Sequence, residues 1–328
     1  MTGALLALIS AAIFGFQNAA ARRAVVSATP LQGMVLTVPT VVPLLGGGCY
    51  LMGGFDAMQN WPVASYVYAG LAGLMHFVIG RNSNYHSMRA LGSTLSTPIQ
   101  QVSTIMSLFL AVVVLKESFS GLNIVGIGLV MVGPAMLIGR RKSIAAAATG
   151  QRFIPDMKTG MIHGAVCVVG YGSSPVLIVL ALAAVENPAD RIAHSTAILF
   201  LSYLCAAGCV AVMVAFTGGV AALRSIPKNG MNWFLLSGFM IAISQIFRYG
   251  ALAFAPVGLV VPIQRLSVIF RLLFNRLINR DYERFDGAIV VGIFLSVLGV
   301  VALGVDTELA LSWLNVGPFL YDSLNWRF

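Results

Sequence analysis

Two nearly identical segments lie 164 residues apart in the chain. The first reads PIQQVS over residues 98–103, and the second reads PIQRLS over residues 262–267. Each segment lies inside a long apolar run, where a proline removes one helical hydrogen bond and bends the helix. A polar bend that recurs at the same place in two apolar units indicates a chain built from two copies of one membrane-embedded unit.

The composition is that of a chain whose solvent is lipid. Apolar residues make up 58% of the 328 residues and charged residues 9%, and the mean hydropathy is +0.89, whereas a soluble domain carries about 25% charged residues. The net charge of +9 is attributed to loops that set membrane topology, not to nucleic-acid binding. The four cysteines, Cys49, Cys167, Cys205 and Cys209, lie in apolar runs without metal-ligand spacing, so we expect neither a metal nor a cofactor.

Ten apolar stretches are each long enough, at roughly 20 residues, to cross a bilayer as a helix. The predicted fold is therefore an all-α polytopic membrane protein with ten transmembrane helices. The first stretch is interpreted as a span and not as a signal peptide, because Arg22 and Arg23 follow it without a cleavage site. The predicted spans are 3–21, 31–53, 63–84, 92–115, 119–139, 159–183, 194–217, 231–254, 257–278 and 285–305.

A basic linker, residues 143–158, divides the chain into two predicted five-helix units, residues 1–142 and 159–305, and a tail follows at 306–328. Because five is odd, consecutive units enter the membrane from opposite sides, which predicts a 5+5 inverted repeat with a shared site between the units. Basic residues concentrate in the loops after odd-numbered spans. By the positive-inside rule, this distribution predicts that both termini lie outside the cytoplasm.

Three arginines, Arg248, Arg265 and Arg271, lie inside apolar spans in which we find no aspartate or glutamate. An ionisable group at membrane depth is costly and is therefore a candidate functional residue. Arg265 lies three residues after Pro262, where a guanidinium suits a carboxylate or a phosphate that it binds through two hydrogen bonds. Arg248 is the second candidate. A structural alternative stays open for both, in which each arginine pairs with other protein groups such as helix-end carbonyls.

Glutamine and tyrosine side chains extend this candidate binding site. Gln101 and Arg265 occupy equivalent positions in the two units, and Gln245, Arg248 and Tyr249 share one helix face through their i, i+3, i+4 spacing. Interfacial anchoring is the alternative for the tyrosines, and snorkelling to the membrane surface is the alternative for the arginine near the end of span 3. Beside Arg248 and Arg265, the predicted substrate-binding residues are Gln264, Gln100, Gln101, Gln245, Tyr249, Tyr85 and Arg81.

His76 and His163 are candidate proton-coupling residues, because histidine titrates near neutral pH. A structural hydrogen-bonding role is the alternative for each. Two helix ends carry a basic residue followed by an acidic one, and we interpret both charge pairs as structural latches and not as substrate contacts. These helix-end pairs are Lys116-Glu117 and Arg280-Asp281. No P-loop, HExxH, Ser-His-Asp or CxxC pattern is present, so nothing in the sequence indicates an enzyme.

The segment from Pro98 to Gly133 resembles the drug/metabolite transporter superfamily, and its EamA-type members in particular. The matching pattern is a helix with a central proline, an acidic residue at its end (LKES, with Glu117) and a glycine-rich helix (GIGLVMVG). The second unit repeats the pattern more loosely, with Asp281 in place of the glutamate. The resemblance implies a central cavity lined mainly by spans 1, 3, 4, 6, 8 and 9. It also implies cytoplasmic termini, opposite to the orientation that the charges predict.

The residues and the resemblance together predict a secondary transporter for a small organic anion, a carboxylate or a phosphorylated metabolite, that works by alternating access. A basic residue on span 9 is similar to the plastid sugar-phosphate translocators, although Arg265 is single and not one of a pair. Two alternatives stay open: an exporter of amino acids or amphipathic drugs, and a membrane scaffold or accessory subunit without transport. The expected partners are the small-molecule substrate, the lipid bilayer and a second copy in a homodimer. A bacterial inner membrane is the expected location.

Overall fold

The structure, a computed structural model, describes residues 1–25, 29–132, 156–183, 185, 190–217 and 227–278, with 291, 294, 295, 298, 299 and 302 near the C-terminus. Within these ranges the side chains of 22, 25, 92–98, 101, 229, 272, 275, 276 and 278 lie outside the description. The regular elements are helices: α1 Thr2–Val25, α2 Pro30–Thr37, a 3₁₀ turn Pro39–Val41, α3 Val42–Leu51, α4 Gly54–Met58, α5 Val63–Gly73, a π-helical segment Leu74–Gly80, α6 Arg81–Leu115, α7 Gly121–Val132, α8 Met157–Leu182, α9 Arg191–Phe216, α10 Lys228–Phe254, α11 Val257–Gln264 and α12 Ser267–Ile278.

Six stretches among the described residues are long and apolar enough to cross a membrane, which confirms a multi-pass helical membrane protein. They correspond to the predicted spans 1, 2, 3, 6, 7 and 8. Two shorter apolar helices, Val102–Leu115 and Gly121–Val132, coincide with predicted spans 4 and 5. Predicted span 9 is the broken pair α11 and α12, and most of predicted span 10 lies outside the described residues. The count of ten thus stays a prediction.

The chain reverses direction inside α6. In a straight helix Asn84 and Gln100 would be about 24 Å apart, since each residue adds about 1.5 Å. Gln100 Nε2 nevertheless donates a hydrogen bond to Asn84 Oδ1. The stretch between them contains Pro98, which cannot donate the backbone hydrogen bond that a straight helix needs. The two arms of α6 therefore belong to two neighbouring spans, as the predicted third and fourth spans require.

Matching close contacts occur in the two halves of the chain. Gly3 packs against Ala255 where α1 meets the end of α10, and Gly160 packs against Leu91 where α8 meets α6. The two glycines are 157 positions apart and their partners are 164 positions apart. Neither glycine has room for a side chain, so each contact depends on a small residue, as is common where membrane helices approach closely.

A second pair of contacts repeats these spacings deeper in the bundle. Gly15 on α1 packs against Phe270 on α12, and Gly172 on α8 packs against Met106 on α6. The glycines are again 157 positions apart and their partners 164 positions apart. The helix α1 therefore lies against α10 and α12 in the same way that α8 lies against the two arms of α6.

The helices α1 and α8 run in opposite directions. Gly3, at the start of α1, lies beside Ala255 at the end of α10. An apolar cavity brings that same residue, Ala255, together with Leu182 at the end of α8 and Leu115 at the end of α6. One side of the bundle therefore holds the start of α1 and the end of α8, so the two related helices cross the bundle with opposite polarity.

Candidate functional site

A cavity lies between helices from both halves of the chain. Its wall is formed by α1, the π-helical segment, both arms of α6, α8, α10, and α11 with the start of α12, which correspond to predicted spans 1, 3, 4, 6, 8 and 9. The lining residues are mostly polar or aromatic: Phe14, His76, Asn84, Gln100, Tyr171, Pro175, Ser244, Gln245, Arg248, Val261, Gln264, Arg265 and Ser267.

Arg265 lies where the helix of predicted span 9 breaks. The helix α11 ends at Gln264 and α12 begins at Ser267, and the Arg265 backbone N–H donates to the carbonyl of Pro262 at 2.9 Å in a tight turn. One terminal nitrogen of the guanidinium, Nη2, donates to Ser103 Oγ at 2.8 Å. The Nε nitrogen is buried and has no hydrogen-bond partner in the described protein. Arg265 therefore faces the cavity with donor capacity to spare.

Arg248 and His76 form a second polar group on the cavity wall. Arg248 Nη1 lies 3.2 Å from His76 Nδ1 and 3.4 Å from Nε2, and it donates to Gln245 Oε1 at 3.2 Å. Nη2 donates to Ser174 Oγ at 3.4 Å. The π-helical segment carries His76, and such segments are frequent at functional sites. All four contacts are longer than an ideal N–H···O bond of about 2.9 Å, so the guanidinium is held loosely.

Two further hydrogen-bond networks connect the two halves of the chain. Gln264 Nε2 donates to Ser10 Oγ at 3.0 Å, and this hydroxyl lies 3.1 Å from Ser244 Oγ. On the opposite wall, the Gln100 amide binds Asn84, whose Nδ2 donates to the Tyr171 hydroxyl at 3.4 Å. These bonds orient amide and hydroxyl groups at the cavity surface, where they can bind the polar body of a ligand.

The charged residues that line the cavity are basic. Two arginines line it, and none of the acidic residues that the structure describes, Asp56, Glu117, Asp156 and Asp190, belongs to its wall. An unpaired guanidinium at membrane depth is costly, so a negatively charged ligand is the chemically natural complement of this wall.

The enclosed space is small in this conformation. Its volume is about 60 Å³, which at roughly 10–15 Å³ for each water accommodates about four to six water molecules. A metabolite therefore enters only when the wall moves. The loosely held Arg248 and the helix break at Arg265 are the parts of the wall best able to do so.

Several residues predicted to bind substrate lie away from the cavity. Arg81 is 2% exposed, so it does not snorkel to the surface; it donates to the Thr37 carbonyl at 3.3 Å and to the Tyr203 hydroxyl at 3.3 Å. Tyr85 and Tyr249 are buried in the apolar core and not at a membrane interface. None of these three side chains belongs to the cavity wall that Arg248 and Arg265 line.

The remaining predicted residues divide between other surroundings and undescribed parts of the chain. His163 stacks on His86 with ring centroids 4.7 Å apart, outside the cavity wall. The Gln101 side chain, Arg280 and Asp281 lie outside the described residues. Only His76 of the candidate proton-coupling residues therefore meets the cavity.

Glu117 joins the end of α6 to the start of α11. Its two carboxylate oxygens accept hydrogen bonds from the backbone N–H groups of Val257 and Gly258 at 2.7 and 2.8 Å, while the neighbouring Lys116 is exposed. A carboxylate at a helix N-terminus is stabilised by the free N–H groups and the helix dipole. Burial raises the pKa of Glu117, and the two backbone N–H groups act in the opposite direction.

Sequence reasoning missed Tyr171 and underused Asn84, both of which line the cavity. Each had a usable signal. Asn84 lies 164 positions before Arg248, and Tyr171 precedes the Gly-Ser-Ser-Pro segment in the middle of an apolar run. A systematic comparison of equivalent positions would have placed Asn84 opposite Arg248.

The fold and this cavity define a class of protein: a multi-pass helical membrane protein with a polar site enclosed between helices from both halves of the chain, as in membrane transporters. Residues 1–139 match the EamA-like transporter family, which belongs to the drug/metabolite transporter superfamily. The predicted resemblance is thereby confirmed over these residues. The match supports a membrane transporter with a small-molecule substrate in a lipid environment.

Comparison with solved structures gives a similar fold. A structure described as "Crystal structure of protein" superposes with a TM-score of 0.68, covers 95% of this chain and 99% of its own chain, and is 14% identical in sequence. At that identity the similarity shows the fold alone. No curated protein matches the sequence at a significant level.

Proposed function

We propose that the protein is a secondary transporter that moves a small organic anion, a carboxylate or a phosphorylated metabolite, by alternating access. The observation that carries the proposal is Arg265, which lines the cavity at a helix break and has a buried Nε without a hydrogen-bond partner. Removing a guanidinium from water without full pairing is costly, and a bound anion offsets that cost through charge-assisted hydrogen bonds.

An anion suits this wall better than a zwitterion. The carboxylate of an amino acid would find Arg248 or Arg265, but its ammonium group would need an acceptor of negative charge. Among the described residues no carboxylate lines the cavity. The predicted alternative, an exporter of amino acids or amphipathic drugs, is therefore the weaker reading of the same site. Tyr171 and Phe14 supply aromatic surface that would contact the carbon skeleton of an organic anion.

We propose a 5+5 inverted repeat as the basis of alternating access, with units at 1–142 and 159–305. Two observations support it: the paired glycine contacts at spacings of 157 and 164, and the opposite directions of α1 and α8. A site between such units faces each side of the membrane in turn when the units exchange conformations. The proposal includes a bacterial inner membrane as the location and a homodimer as the assembly.

Flux through liposomes that contain only this protein tests the proposal. The full-length protein is reconstituted and offered radiolabelled succinate, glycerol 3-phosphate, leucine and a small cation. We expect saturable flux of at least one anion, reduced about 30-fold or more in Arg265→Gln, since a bidentate pair with an anion is worth about 2–3 kcal/mol. The control Arg89→Gln removes the same charge from an exposed position and should transport normally.

The other outcomes separate the alternatives. Flux of leucine or of the cation that Arg265→Gln leaves unchanged would favour the exporter and make the arginines structural. No saturable flux of any compound by folded, reconstituted protein would favour the scaffold without transport. Arg265→Lys keeps the charge but loses the planar pair of donors, so it should fall between the wild type and Arg265→Gln.

A further inference from the structure

The groups around His76 favour a neutral ring in this conformation. Arg248 Nη1 lies 3.2 Å from Nδ1 and 3.4 Å from Nε2, and Gln245 Nε2 lies 3.3 Å from Nε2. A guanidinium nitrogen and an amide nitrogen can each only donate a hydrogen bond. A neutral imidazole offers one acceptor nitrogen and a protonated imidazole offers none. A neutral His76 therefore accepts a hydrogen bond from one of these two donors, whereas a protonated ring would accept from neither.

The surroundings of His76 supply positive charge. Arg248 lies on α10, Arg265 lies at the break between α11 and α12, and both line the cavity together with His76. Arg81 follows His76 by five residues in the chain. From α8, the Tyr171 ring lies 4.7 Å away. Because no described carboxylate belongs to the cavity wall, repulsion from the arginines disfavours one more positive charge there.

A bound anion reverses this balance. Its negative charge compensates the arginines, and its oxygen atoms compete with the imidazole for the Arg248 donors. Arg248 is suited to such a change of partner, because none of its hydrogen bonds in this cluster is shorter than 3.2 Å. Once the guanidinium turns to the anion, the ring nitrogen that it occupied is free to accept a proton from water in the open cavity.

We propose that His76 takes up one proton when the anion binds to Arg248 and releases it when the anion leaves, so that the protein is a proton–anion symporter. This inference rests on the proposed anion transport and adds its coupling ion. The step forms one N–H bond on the imidazole and removes one proton from the solution on the side where the anion enters. The reverse step on the other side returns the proton to that solution.

Linkage gives the proposal a quantitative signature. If the anion raises the affinity of His76 for a proton, then a proton raises the affinity for the anion by the same factor. For one linked proton, the apparent affinity for the anion increases by at most about tenfold for each unit by which pH falls. This slope applies between the pH at which His76 is protonated in the free protein and the pH at which it is protonated in the anion-bound protein. An anion that does not itself titrate in this range, such as the sulfonate isethionate, gives the slope without interference from its own chemistry.

Simultaneous recording of anion and proton movement tests the inference. Liposomes with the full-length protein contain a trapped pH-sensitive dye and receive radiolabelled isethionate, succinate at pH 6.5–8, or glycerol 3-phosphate. We expect one proton to accompany each anion whose flux depends on Arg265. Whatever anion flux the variant His76→Gln retains should move without an accompanying proton, and the affinity for isethionate should no longer rise as pH falls. The matched control His163→Gln, at a histidine outside the cavity wall, should behave as the wild type.

Two results would overturn the symporter. Anion flux that depends on Arg265 but moves no protons would refute coupling at His76 and leave anion transport standing. Proton movement that persists unchanged in His76→Gln would also refute it. Absence of any anion flux would overturn the proposed function and this inference together. Anion-dependent thermal stabilisation of His76→Gln establishes that the variant is folded and binds, so that loss of the proton cannot be ascribed to misfolding.

Discussion

Replacement of Glu117 by alanine should loosen the junction between the end of α6 and the start of α11. The two N–H groups that the carboxylate accepts, from Val257 and Gly258, belong to the first turn of α11 and would lose their partners. Hydrogen bonds to a charged group are worth about 1.5–3 kcal/mol each. The lost bonds thus amount to about 3–6 kcal/mol before other effects are counted.

Part of this loss is recovered, because the half-buried carboxylate is itself disfavoured by its surroundings. Burial is the largest influence on the Glu117 pKa and raises it, which means that the folded protein destabilises the charged form. The variant also lets water reach the helix end. We therefore expect a net loss of about 2–4 kcal/mol, at the upper end of ordinary single substitutions.

Thermal unfolding in detergent with a thiol-reactive dye measures this loss. Cys49 and Cys167 are free and buried in the folded protein, so the dye signal rises when the bundle opens. A loss of about 2–4 kcal/mol corresponds to a fall in Tm of roughly 4–8 °C for a large domain. Glu117→Gln keeps one acceptor oxygen and should lie between the alanine variant and the wild type.

The neighbouring exposed residue provides the control. Ser118→Ala changes a side chain next to Glu117 that is exposed in the structure, and its Tm should stay within about 1 °C of the wild type. If Glu117→Ala has the same Tm as Ser118→Ala, the Glu117 carboxylate does not stabilise this junction. The backbone N–H groups of α11 would then find hydrogen-bond partners without it.

Three further predictions follow from the same contacts. Because the pKa of Glu117 is raised in the folded protein, protonation of Glu117 stabilises the fold at low pH, and this stabilisation is lost as pH rises through the folded-state pKa. The Tm of the wild type should therefore rise relative to that of Glu117→Gln as pH falls from 7 towards 4.5. Gly15→Leu and Gly172→Leu should each lower the yield of folded protein in size-exclusion chromatography, since neither site has room for a side chain. Arg81→Gln should lower Tm by several degrees yet preserve stabilisation by anions, because Arg81 bonds to Thr37 and Tyr203 outside the cavity.

Apolar length and charge were enough to predict the six membrane spans found among the described residues. The predicted stretches 159–183, 194–217 and 231–254 correspond to α8 Met157–Leu182, α9 Arg191–Phe216 and α10 Lys228–Phe254. These boundaries are accessible from sequence because the transfer of charged and apolar groups between water and lipid dominates the energetics at a helix end. The reversal inside α6 was predicted as a boundary between two spans, and the continuity of the helical backbone through it was not.

The distribution of polar residues around the cavity was only partly accessible. Arg248, Arg265 and the glutamines at 100, 245 and 264 were nominated and line it, whereas Arg81, Tyr85 and Tyr249 were nominated and do not. Depth along a helix follows from position in the sequence, but the direction in which a side chain points depends on how the helix is rotated against its neighbours. Tyr249 follows Arg248 directly, and the rotation of about 100° for each residue is enough to move it from the cavity wall into the apolar core.

Both arginines of the cavity come from the second half of the chain. At the equivalent positions the first half carries Asn84 and Gln101. An arginine at position 84, which lines the cavity, would bring a third guanidinium to a wall that has no described carboxylate, at a cost that a small anion could not offset. Agreement between the copies is therefore expected where a bend or a close contact must form, as at Pro98 and Pro262. In the proposed repeat, disagreement is expected where the charge of the site is set, so we expect the diverging positions on the cavity wall to be the ones that choose the ligand.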